Sequence, residues 1–142
     1  MIWIHPPYEV AKVSIHSVVE HVEKQARYIR QAGAEHFAFI EFAIEPCHGH
    51  IGFKNEALIQ EDLRGNKEWE QTFPMIVCHI YDALKKFIQF QYDEKNQAIG
   101  NFNFILKNIV IHPSDSRLMD FSIATHIGLT EIFQNKGSES IG

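Results

Sequence analysis

The chain has 142 residues, 45% of them hydrophobic and 22% charged, a balance that suits one ordinary globular core. Thirteen basic against 18 acidic residues leave a formal charge of -5, a poor match for a phosphate backbone, whose affinity rests on Lys and Arg displacing counterions. The two cysteines make no disulfide framework, no secretory signal opens the chain, and no apolar run approaches the roughly 20 residues that cross a bilayer, so a cytoplasmic protein without a membrane partner is expected.

Along the chain, Tyr8 to Val22 reads as one bent strand carrying Val13, Ile15, Val18, Val19 and Val22, with Pro6 and Pro7 setting its entry. Arg27 to Gln31 reads as a second strand, and Ala32-Gly33-Ala34 as a turn. From Phe37 to Glu45 the even-numbered positions Ala38, Ile40, Phe42 and Ile44 are all apolar, whereas the odd ones are half polar. That is a strand with one face on a core. Pro46 ends it, Cys47-His48-Gly49-His50 forms a loop, and Ile51 to Ile59 holds one further short strand. Trp69, Phe73, Ile76, Val77, Ile80, Leu84, Phe87 and Ile88 recur at helical spacing. Pro74 lacks an N–H, so the regular helix is expected to begin near it, with Gln91 to Asn96 as polar linker. Asn101 to Ile111 is a strand with Phe102, Phe104, Leu106 and Val110 on one side and Ile105, Ile109 and Ile111 on the other. His112-Pro113 stops it. Ser114 and Asp115 then cap a helix running to about Phe133, with Met119, Ile123 and Ile127 on one line and Phe121, Thr125 and Leu129 flanking. This order argues a single α+β domain over residues 1–134, two helices on one face of a mainly antiparallel sheet, followed by a flexible tail over 135–142.

Several stretches also carry a family likeness. Arg27 to Pro46 resembles a signature stretch of translation elongation factor G, where an aromatic strand ends in Arg-Gln, a glycine-rich turn follows, and the next strand closes in Glu-Pro. Gly52-Phe53 resembles a Gly-Phe step of that factor's fourth domain. Phe73-Pro74 with Ile76, Ile80, Asp82, Ala83 and Leu84 resembles its first helix, and Asp115-Ser116 with Met119, Phe121, Ile123 and Ala124 the opening of its last. The order and spacing agree over roughly residues 10 to 133, so the chain resembles domain IV of elongation factor G and of related ribosomal-protection GTPases. The resemblance implies a ribosomal-protein-like β-α-β fold with a left-handed crossover, against the general right-handed rule. It also implies an arm that reaches the ribosome, with a tip of two loops, here Ala32 to His36 and His112 to Ser114. Both loops depart from the family pattern: the first has Ala34, Glu35 and His36 in place of more glycine and a basic residue, and the second is shorter and lacks an Asp-Gly turn. No Gly-x-x-x-x-Gly-Lys-[Ser/Thr] occurs, so no nucleotide partner and no GTPase activity are expected.

The expected binding residues are therefore the tip: Gly33, Ala34, Glu35, His36, His112, Pro113 and Ser114. His36, His112 and Glu35 have the composition of an acid–base set, but no nucleophile is identifiable beside them, and exposed loop histidines are the plainer reading. Lys24, Arg27 and Arg30, near Tyr28, are candidate RNA contacts, although alternation along a strand sends Arg27 and Arg30 to opposite faces, and the net charge counts against direct RNA binding. Cys47, His48 and His50 are metal-type ligands short of the four that a structural zinc site needs, and a polar hairpin loop accounts for them. No cofactor and no catalysis are expected. The expectation is a translation-related module without GTPase activity that binds the ribosome, a ribosomal protein or another protein. The alternative is a repurposed regulatory or self-associating domain with no ribosomal role.

Overall fold

The computed structural model describes residues 1–30 and 35–141, with residues 135–141 as backbone only. The Ala32-Gly33-Ala34 turn and the side chains of the expected tail lie outside what is described. The elements in order are β1 (Ile2–Ile4), β2 (Ile15–Ser17), β3 (Val22–Arg30), β4 (His36–Pro46), β5 (Ile51–Asn55), α1 (Lys67–Lys95), β6 (Ala98–Gly100), β7 (Phe102–Val110) and α2 (Leu118–Ile141). Short 3-10 turns lie at Val10–Lys12 and Glu61–Leu63. The main sheet has the order β1-β5-β7-β4-β3, antiparallel except for β5 against β7, while β2 and β6 form a small parallel pair. A parallel pair cannot be joined by a tight turn, and α1 supplies the long connection from β5 to β7.

Both helices cover one face of the sheet. Ala38, Ile40, Phe42 and Ile44 of β4 are buried in one cluster with Phe104 and Leu106 of β7, Leu84 and Phe87 of α1 and Phe121 and Leu129 of α2. The rings of Phe42 and Phe104 stack at 4.4 Å between centroids in its middle. The opposite face is mostly polar; there Glu41 accepts from Gln25 and from Asn108. The alternation read in β4 is therefore the division between helix layer and solvent.

Four expectations need correction. The single strand read over Tyr8 to Val22 is a 3-10 turn, the three residues of β2, and only then β3 from Val22, because Ile15–Ser17 pairs with Ala98–Gly100 rather than with the main sheet. Helix α1 starts at Lys67, not at Pro74, since the Asn66 Oδ1 accepts from the Trp69 N–H at 3.1 Å and caps the first turn. Its last turns run through the residues read as linker, to Asn96 in the left-handed region at φ 54°. In β7 the expected faces switch: Glu41 pairs with Asn108 but Phe42 with Leu106, so Lys107 is an extra residue. This bulge puts Ile109 and Ile111 on the same core face as Phe102, Phe104 and Leu106, and leaves Val110 outside. In α2 the buried line is Phe121, Thr125 and Leu129, whereas Met119 is 60% exposed.

Candidate functional site

β3 and β4 pair in register from Val22 opposite Ile44 to Arg30 opposite His36. The hairpin end therefore sets Arg30, Glu35 and His36 at one end of the sheet. β7, antiparallel to β4, delivers the chain after Val110 to that same end. The two expected tip loops do meet there: Arg30, Glu35, His36, Phe37, His112 and Asp115 line a shallow cleft of about 240 Å³.

Side-chain bonds lock the second loop. The Gln60 side chain donates to the Ile111 carbonyl at 2.9 Å and accepts from the Ile111 N–H at 2.7 Å, a two-point clamp at the loop root. The Ser116 Oγ accepts from the His112 N–H at 2.8 Å and donates to the Phe37 carbonyl at 2.7 Å, tying the second loop to the start of β4. Asp115 and Ser116 both donate backbone N–H groups to the His112 carbonyl, making a compact turn. Neither Ser114 nor Asp115 caps α2 as expected. Asp120 does so from inside the helix: its Oδ2 accepts from the Arg117 N–H at 3.0 Å, the acidic half of a capping box. Helix α2 thus begins at Leu118, three residues after Asp115, because those residues are spent on the turn.

Two histidine–carboxylate pairs follow. His36 Nδ1 lies 2.8 Å from Asp120 Oδ1, and Asp120 is only 1% exposed. A carboxylate on Nδ1 holds that nitrogen as the protonated one in the neutral ring and makes Nε2 the acceptor. His112 Nδ1 lies 2.9 Å from Asp115 Oδ2, at the exposed rim. A hydrogen bond with the Asp115 side chain pushes the Glu35 carboxyl above the usual range; the Asp115 charge adds to this and His112 opposes it. The tip is thus an alternation of imidazole and carboxylate with Arg30 at one side, suited to hydrogen-bonding a polar partner. Among the described residues, the serine hydroxyl bonded next to His112, Ser116 Oγ, is committed to the Phe37 carbonyl. Of the expected tip, Gly33 and Ala34 lie outside the described residues, and Pro113 and Ser114 are exposed at the turn. Arg30, Asp115 and the supports Gln60, Ser116 and Asp120 were missing from that set. In the sequence Asp115 has the look of a helix cap, and Gln60 reaches from 51 positions away.

The basic trio is divided. Lys24 pairs with Glu131 of α2, Arg27 lies over the Phe39 ring at 5.7 Å on the opposite face, and only Arg30 reaches the cleft. In the histidine-rich loop, Cys47 Sγ donates to the His50 carbonyl at 3.2 Å, and burial pushes its thiol up. The His50 ring packs on Trp3 at 4.2 Å and contacts Asn103 Oδ1, while His48 is exposed. Among the described residues no group of three His, Cys, Asp or Glu side chains is arranged to hold a metal ion.

No family model matches the chain, and no curated protein sequence matches it significantly. The architecture itself is recurrent: 53 chains of solved structure match it significantly. One is a crystal structure of a protein from Thermus thermophilus, with a TM-score of 0.55 and 19% identity over 80% of this chain. The match spans only 16% of that longer chain, and at this identity it establishes a shared fold.

Proposed function

We propose that this chain is a non-enzymatic, translation-related module that docks on a ribosomal component or another protein through the two-loop tip. The observation that carries the reading is the convergence of the β3–β4 end and the β7–α2 loop on one cleft, with the Ser116 side chain joining His112 of the second loop to Phe37 at the start of β4. These bonds fix the second loop, and a pre-ordered loop loses less entropy on docking. The likeness of Arg27 to Pro46 and of the two helix openings to elongation factor G domain IV supplies the ribosome as the partner to test. The division of Lys24, Arg27 and Arg30 favours a protein surface over bare RNA at the contact.

The test is sucrose-gradient cosedimentation of the purified protein with ribosomes at low and moderate salt, beside an Arg30→Ala/His112→Ala variant. Binding by the parent that the variant loses is expected. Absence of binding at either salt removes the ribosomal role. That outcome would leave the second reading, a regulatory domain with an acidic tip, which the adjacent Glu35 and Asp115 carboxyls favour.

A further inference from the structure

The face of α1 turned away from the sheet carries a second stripe. Met75, His79, Asp82, Lys86 and Phe90 follow one another at helical spacing and fall within roughly 80° of arc. Its apolar ends lie in solvent, Met75 at 50% and Phe90 at 42% exposure. Beside it a groove of about 340 Å³ runs between the helices, walled by Ala83 on α1 and by Met119, Ile123 and Ile127 on α2. Apolar surface gathered between polar edges in this way marks a contact surface rather than scattered exposure. In its middle, Asp82 and Lys86 stand one helical turn apart, and neither enters any ion pair among the described residues.

We propose that this face is a self-association surface, on which a second copy of the chain docks α1 against α1 in antiparallel sense about a two-fold axis. The order of the side chains selects that occupant. A two-fold contact is self-complementary, so each favourable pair occurs twice. An axis close to Ala83 brings Asp82 within one turn of the second copy's Lys86, and Met75 within one turn of the second copy's Phe90; symmetry repeats both pairs. An acidic or basic partner helix would match one of the two central charges and oppose the other. No tip residue belongs to this surface, so the assembly does not depend on the ribosomal reading.

The test is light-scattering mass after gel filtration, over loading concentrations from roughly 10 to 500 µM, since dimerisation follows mass action. The parent is expected to approach twice the 16.4 kDa of one chain at the upper end. Asp82→Lys and Lys86→Asp each place like charges across the axis and should weaken the dimer by about tenfold or more. Both positions are exposed, and circular dichroism checks that each variant remains folded. An equimolar mixture of the two variants restores both opposite-charge pairs and should recover the dimer. A parent that stays monomeric throughout, or single variants that dimerise like the parent, or a mixture that stays monomeric, would each overturn the proposal.

Discussion

Gly128 lies where α2 crosses the sheet, and a Cβ there would come within 2.9 Å of both the Ala26 Cβ and the Phe42 ring. Alanine is the better helix former by about 1 kcal/mol. The clash involves a β-carbon fixed to the backbone of β3 and a fully buried ring, and such overpacking costs about 1–3 kcal/mol. Gly128→Ala should therefore lower the urea midpoint; a raised midpoint would mean that α2 can lift from the sheet at little cost. Glu35 makes the complementary case at the tip. Its carboxyl is raised by hydrogen bonding to Asp115 and by that neighbour's charge, so the folded state disfavours its ionised form. The stability associated with protonated Glu35 is present below the ordinary carboxyl range and is lost as pH rises through the raised value. Glu35→Gln should match the parent's thermal midpoint at about pH 4 and exceed it at about pH 7. A variant that gains nothing at neutral pH would show that the two carboxyls do not oppose each other.

At the scale of elements, the bulge in β7 decides which side chains reach the core. Lys107 has no partner on β4 and instead donates to Glu56 Oε1 at 2.8 Å, with Lys54 on the same carboxylate group. That contact, followed by the one with Lys54, holds the Glu56 carboxyl below its usual range. Deleting Lys107 removes the extra residue while leaving Phe104, Leu106, Ile109 and Ile111 on the core face. The deletion should fold with a stability within about 1–2 kcal/mol of the parent. Deleting Asn103, in the regular part of the strand, shifts the paired register and should prevent cooperative thermal unfolding altogether. If the two deletions behave alike, the bulge does not set the register.

For the whole molecule, charge and architecture pull in different directions. The fold brings two loops to one end as a binding arm needs, yet the net charge is -5 and the candidate basic residues are dispersed. A polyanion should find no continuous positive surface, and the protein should pass through a heparin column at about 0.1 M salt, where screening already weakens isolated contacts. Retention under those conditions would argue for direct RNA binding. None of the described helices is long and apolar enough to cross a membrane.

By itself the sequence determined the long elements and the layer they make: the alternation from Ala38 to Ile44 and the stripe from Ile76 to Ile88 each repeat often enough to be read locally. The resemblance to elongation factor G domain IV picked out the two loops, Ala32 to His36 and His112 to Ser114. The three-residue strands β1 and β6 went unread, because three positions carry no periodicity. Pro74, which lacks a donor, marks a false start inside α1, whose first turn the Asn66 side chain caps. Only the tertiary structure decided the faces of β7, where one unpaired residue reverses the alternation, and the making of the cleft, where Gln60, Ser116 and Asp120 act across long sequence separations. Local pattern reports which side chains share a face. Which faces meet is settled by packing between elements, and the bonds that hold the tip exist only after that packing has formed.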